Sequence, residues 1–193
     1  SRNGVAGLRP TYGRVSRFGA MALSWSMDKI GPMCRSVEDC ALVFDAIRGP
    51  DGRDATLEDL PFNWDADRDI SSLRIGYYRS AFEAARENNP TGRANDKAVV
   101  AKLKELGVDL IPIELPNEID LSAIRFILSV ESAAAFEDLT RSGRDDLLVR
   151  QTGRSWPNTF RMARMVPAVE YVQANRVRTM VMQQMAEVMK RVD

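Results

Sequence analysis

The 193-residue chain contains no histidine. That absence excludes Ser-His-Asp and Cys-His catalysis within these residues, together with every zinc site that needs imidazole. Any chemistry done here falls to lysine, serine, carboxylates or the backbone. Cysteine is scarce as well: Cys34 and Cys40 are the only two. They make a poor disulfide framework and have no other soft ligand at metal spacing. Buried thiols, no metal and a reducing, cytoplasmic setting are the expectation. Net charge is nil, with 27 basic residues against 27 acidic ones. Charge therefore gives no reason to expect direct nucleic-acid binding or a membrane surface. No apolar run approaches the ~20 residues of a membrane helix. Internal repeats and low-complexity tracts are missing too.

What is present reads as a globular α/β chain, long enough to bury a core as one domain. The stretch Gly4 to Pro32 is punctuated by Gly4, Gly7, Gly13, Gly19 and Gly31, so it reads as loops with short extended pieces. Glycine and proline at that density belong to the rim of a site more than to a plain core. Ser36 then stands as an N-cap with Asp39 three residues on. Val37, Cys40, Ala41, Phe44 and Ile47 follow at helical spacing, and Gly49-Pro50 ends the run.

Asp51 to Ser72 is a long polar loop that Leu60, Phe62 and Trp64 are placed to anchor. Leu73–Tyr78 reads as a buried strand, Ala94–Leu106 as a helix closed by Gly107, and Val108–Leu115 as a second strand. Strand, helix and strand in that order predict a parallel pair. One helix is expected over Leu121–Thr140, then a mobile joint at Arg141–Asp146. Thr152–Val166 reads as irregular or short-helical, broken at Trp156-Pro157. A final helix over Pro167–Val192 carries an apolar stripe of Val169, Val172, Val177, Met180, Val181, Val188, Met189 and Val192.

Several motifs resemble catalytic or binding patterns but have simpler explanations. Ser26-Met27-Asp28-Lys29 has the Ser-x-x-Lys form of a serine nucleophile with its lysine base, but the companion Ser-Asp-Asn and Lys-Thr-Gly motifs are absent. Asp28 and Lys29 fixing a turn before Gly31-Pro32 is the better account. Asp65, Asp67 and Asp69 alternate like a calcium loop, yet Ile70 stands where the glycine should be and Gly76 where the closing glutamate should be. The glycines from Gly4 to Gly13 match neither a dinucleotide fingerprint nor a P-loop. Met180, Met182, Met185 and Met189 are explained by core packing.

Three stretches carry a resemblance. Gly4-Val-Ala-Gly-Leu-Arg-Pro-Thr-Tyr-Gly-Arg-Val-Ser-Arg-Phe-Gly19, Ser26-Met-Asp-Lys-Ile-Gly-Pro-Met-Cys-Arg-Ser-Val-Glu-Asp39 and Tyr171–Asp193 resemble the amidase signature family, which includes amidotransferase A subunits. Ser129–Asp138 is similar to a helix that borders the substrate pocket there. The resemblance implies an α/β fold with a mixed, largely parallel sheet covered by helices. It implies hydrolysis of carboxamide bonds by a Ser, cis-Ser, Lys triad, with backbone N–H groups holding the oxyanion and no cofactor. The family's Gly-Gly-Ser-x-Arg-x-Pro-Ala run matches nothing in these residues. Residues 1–193 are therefore expected to be one interior piece of an amidase signature domain, inactive alone and with no catalytic residue of its own. Phe126 and Arg161 (or Arg164 in its place) are the substrate-binding positions it implies. The implied partners are a small amide substrate and either a second copy or amidotransferase subunits. The glutamine-hydrolysing A subunit of an amidotransferase and a non-catalytic binding or structural module are the alternatives.

Overall fold

A computed structural model describes residues 3–83, 90–116 and 122–193. The chain divides into two compact units, Ser1–Ala66 with Arg125–Tyr171, and Asp67–Ile124 with Val172–Asp193.

In the first unit, strands β1 (Ala6–Gly7) and β2 (Met33–Cys34) pair antiparallel, Ala6 opposite Cys34. Gly31 sits just before β2 because nothing larger fits: a Cβ there would lie 2.1 Å from the Leu8 carbonyl oxygen. Helix α1 (Val37–Ile47) follows, and the expected cap is complete. Ser36 Oγ accepts from the Asp39 N–H while the Asp39 carboxylate accepts from the Ser36 N–H. Its buried face is Cys40, Ala41 and Phe44. Of the three loop anchors, Phe62 packs edge-on to Phe44 with ring centroids 4.8 Å apart. Leu60 instead holds the loop by its carbonyl, which accepts from Arg14 and Arg48.

Helix α4 (Ser122–Ala135) stops where a single helix to Thr140 was expected. Phe136 leaves helical geometry at φ −107° and ψ 25°, and α5 (Glu137–Arg141) starts afresh, which turns the Phe136 ring onto Phe160 in a stacked pair at 4.8 Å. Leu121 lies outside the described residues. The joint expected at Arg141–Asp146 is a built turn. Gly143 takes φ +71°, a value that suits glycine, and a 3-10 turn over Arg144–Leu147 buries Asp145. Pro157 opens helix α6 (Trp156–Ala163) instead of breaking one, since the first helical turn has no use for its missing N–H.

In the second unit, β3 (Ile75–Tyr78) and β4 (Leu110–Ile113) form the predicted parallel pair, Ile75 opposite Leu110. Between them come α2 (Arg79–Glu83) and α3 (Pro90–Glu105). Asp69, read as part of a calcium decoy, caps the 3-10 turn Ile70–Ser72 by accepting from the Ser71 N–H. Helix α7 (Ala168–Met189) is as long as expected, but its packed stripe is narrower. Ala174 and Val181 are buried and Val177 and Val188 half-buried, one face at helical spacing. Val169, Val172, Met180, Met182 and Met189 lie on other faces and are about half exposed or more, so core packing does not account for these methionines. The class is α/β as expected, but among the described residues the strands form two separate two-stranded sheets, β1 with β2 antiparallel and β3 with β4 parallel, in place of one mixed, largely parallel sheet. Among the described residues no helix is long and apolar enough to cross a membrane.

Candidate functional site

The glycine-rich loop is held by two buried acid clusters. Arg17 stacks over Tyr12 and Trp25 and clamps Asp54 with two nitrogens, Nε to Oδ2 at 2.9 Å and Nη2 to Oδ1 at 3.2 Å. Hydrogen bonds from Arg17, then Thr56, hold the Asp54 carboxyl well below the usual carboxylate range against its desolvation. The Arg17 Nη1 group also donates to the Trp25 carbonyl. Gly13 is needed on the same loop: its φ is +80°, and a Cβ would come within 2.7 Å of the Thr56 carbonyl oxygen.

The second cluster centres on Glu131 in α4. Its Oε2 accepts from Ser24 Oγ at 2.6 Å and from the Ser26 N–H at 3.0 Å. Its Oε1 accepts from Ser26 Oγ and from the Tyr171 hydroxyl, each at 2.7 Å. Burial pushes this carboxyl up, but the hydrogen bonds outweigh it and the net shift is downward. Glu131 is therefore an ionised acceptor with four donors. Asp28, on the same loop, accepts from the Leu23 and Ser24 N–H groups and closes the turn, as the sequence suggested. Lys29 lines a small cavity of about 200 Å³ with Arg17 and Trp25, and burial followed by the charge of Arg9 lowers its pKa.

Beside the Glu131 cluster lies a cavity of about 700 Å³. Its walls are small and apolar, Ala133, Ala134, Ala163 and Ala168 among them, and Tyr171 forms part of its rim. Arg141, Arg161 and Arg164 line it together with one acidic residue, Glu137. Arg164 pairs with Glu137 at 3.2 Å, and Arg141 pairs with the same side chain. Arg161 reaches the buried Asp145 and the exposed Asp146, both at 2.6 Å. Such a cavity suits a small ligand with a negative end and a compact body.

Arg161 and Arg164, the two arginines singled out from sequence, thus meet in one cavity. Phe126 is half-buried on α4, one turn before the lining residue Val130, and is not itself among the residues that line it. Glu131 was not anticipated as a site residue. Its signal was legible in retrospect: a lone carboxylate in the apolar run from Ile124 to Ala135 must be paired if that face is buried. No cluster of three or more His, Cys, Asp or Glu side chains among the described residues is placed to hold a metal ion.

The family model named Amidase matches residues 1–193. The chain belongs to the Amidase family. Among curated relatives, it is 31% identical to the A subunit of the glutamyl-tRNA(Gln) amidotransferase of Roseiflexus castenholzii, over 98% of this chain and 43% of that one. It is 43% identical to the protein of the same name from Thermus thermophilus, over 68% of this chain and 28% of the other. A solved structure is superimposed with a TM-score of 0.78 at 29% identity, covering 98% of this chain and 40% of its own. That structure is described as an unexpected vestigial protein complex that reveals the evolutionary origins of an s-triazine catabolic enzyme. The chain thus spans less than half the length of these Amidase relatives.

Proposed function

We propose that the protein carrying this chain is an amidase-type hydrolase of carbon–nitrogen bonds in small carboxamides, and that these residues form its substrate side. The observation that carries the reading is the alanine-walled cavity with Arg141, Arg161 and Arg164 at its edge, in a chain that matches the Amidase family along its whole length. A serine, cis-serine and lysine set supplies the chemistry in this reading. None of the 193 residues here is assigned to it, so residues 1–193 alone are inactive. Arg161 is assigned to the charged end of the substrate, and Phe126 is the second substrate-side position. No cofactor enters, and a cytoplasmic setting goes with the reading.

The test is ammonia release by the full-length protein from a panel of neutral and carboxylate-bearing carboxamides. Arg161→Lys keeps a positive charge beside Asp145 but loses the planar fork. It is expected to raise KM about tenfold for carboxylate-bearing amides and to leave neutral ones nearly unchanged. Hydrolysis by residues 1–193 alone, or an equal effect on both substrate groups, would contradict the assignment.

A second reading is favoured by the names of the relatives: the A subunit of a glutamyl-tRNA(Gln) amidotransferase, hydrolysing glutamine for its partner proteins. Glutamine then outruns the other amides, and its hydrolysis rises when those partners are added.

A further inference from the structure

We propose that Glu131 is a positioning residue, which holds the Ser24–Asp28 turn and the Tyr171 rim of the cavity in one fixed arrangement. The inference rests on the amidase reading for its consequence, but its geometry stands apart from it. Glu131 joins three stretches of chain that are far apart in sequence. Ser24 and Ser26 lie 107 and 105 residues before it, and Tyr171 lies 40 residues after. Two carboxylate oxygens offer about four lone-pair sites, and four donors occupy them.

The turn has its own local bonds, with the Ser24 carbonyl accepting from the Met27 and Asp28 N–H groups and the Trp25 carbonyl from Arg17 and Tyr12, but Glu131 alone ties it to both α4 and Tyr171 through the bonds described. Asp28 takes the N–H groups of Leu23 and Ser24, and Glu131 takes that of Ser26. Ser24 is 1% exposed, so water cannot replace Glu131 as acceptor for its hydroxyl without local opening. Tyr171 lines the cavity while its hydroxyl donates to the same carboxylate. One side chain therefore fixes both the loop and the wall that a substrate would meet.

Glutamine at this position splits the two tasks. Its oxygen serves in the place of Oε2, where the Ser26 N–H can only donate and so requires an acceptor. Its NH2 then falls in the place of Oε1, where the Ser26 and Tyr171 hydroxyls must reverse and accept. Glu131→Gln keeps the turn and disturbs the rim, whereas Glu131→Ala releases both.

The experiment measures hydrogen exchange over residues 22–28 and carboxamide kinetics in the full-length protein. Glu131→Ala should speed exchange in that segment and raise KM, each by about tenfold, with a smaller change in kcat. Glu131→Gln and Tyr171→Phe should leave the exchange close to wild type and raise KM several-fold. Phe44→Leu, a core change in α1, controls for stability loss alone and should leave KM in place. Unchanged exchange and KM in Glu131→Ala would overturn the proposal. So would changes in KM and kcat that track only the melting midpoint across all variants. If Glu131→Ala fails to fold, Glu131→Gln and Tyr171→Phe carry the test by their split between exchange and KM. A wild-type protein that cleaves no carboxamide, while Glu131→Ala still frees residues 22–28, keeps the positioning role and removes the amidase reading.

Discussion

Arg17 and Asp54, 37 residues apart in the chain, form a two-nitrogen ion pair with only 8% of either side chain exposed. The Arg17 and Thr56 N–H groups and the Thr56 hydroxyl also donate to the Asp54 carboxylate. The pair therefore ties the glycine-rich loop to the polar loop that follows α1. Removing one member leaves the other charged and out of water, a loss of about 3–5 kcal/mol. Asp54→Ala should lower the melting midpoint by roughly 6–20 °C, at about 2–4 °C per kcal/mol for a chain of this size. Arg17→Lys should recover only part of that, because lysine cannot reach both oxygens and the two aromatic rings at once. Thermal unfolding followed by circular dichroism measures both.

The two buried acids that hold the glycine-rich loop, Asp54 and Glu131, contribute to the response to pH, as do Asp51, Asp69 and Asp193, which are also held low. Asp54 and Glu131 are each held below their ordinary values, Asp54 chiefly by Arg17 and Glu131 by hydrogen bonds that overcome burial. A depressed carboxyl stabilises the fold above its unfolded value and stops doing so as pH falls through its folded one. Stability should therefore be flat from neutral pH down to about pH 5 and then fall steeply below about pH 4. Denaturant midpoints measured from pH 7 to pH 3 would show this. Glu131→Gln should make the acid limb shallower, since one of the contributing groups no longer titrates.

Local signals in the sequence were sufficient wherever one chemical preference ruled. The Ser36 cap, the glycine after α3 and the parallel pairing of β3 and β4 were each legible because cap, turn and crossover chemistry leave few alternatives. Boundaries failed where tertiary packing decided. Phe136 breaks out of α4 to stack on Phe160, and no property of residues 121–140 alone demands that. The stripe read from the α7 sequence is wider than the packed one because valine and methionine occur on several of its faces, and only contacts pick the one that packs. At the site, arginines were legible as charges, but the partners that aim them, Glu137 and Asp145, come from other elements. The resemblance to the amidase signature family filled that gap for the fold, while the donors that meet at Glu131 come from 40 to 107 residues away in the chain.

Gly31 gives a sharp test of the loop's close approach. A Cβ there would meet the Leu8 carbonyl oxygen at 2.1 Å and Pro10 Cδ at 2.5 Å, so backbone must move. The Leu8 N–H donates to the Pro32 carbonyl beside it, and β1 and β2 pair from that contact onward. Gly31→Ala should destabilise the chain by about 3 kcal/mol or more, in the range of overpacking against a rigid neighbour. Gly52→Ala, at φ +72° but with open space around its Cβ, should cost only about 1 kcal/mol. Equal losses at the two sites would show that the approach of Gly31 to Leu8 is not as tight as described.

Ser26 and Lys29 have the spacing of a nucleophile and its base, and the structure gives a reason to expect otherwise. The Ser26 hydroxyl proton is committed to Glu131 Oε1 at 2.7 Å. Glu131 is a weak base, since its carboxyl is shifted downward by the donors around it. A serine activated for attack needs a base that will take its proton, and a carboxylate already holding four donors has little tendency to do so. Ser26→Ala and Lys29→Ala in the full-length protein should therefore each reduce carboxamide hydrolysis by less than about a hundredfold, whereas loss of a true nucleophile costs on the order of 10⁶ in kcat. Turnover rates of the two variants, with burst-phase measurement of any acyl-enzyme, separate these outcomes. A fall to background in Ser26→Ala with the fold intact would make Ser26 the attacking group after all.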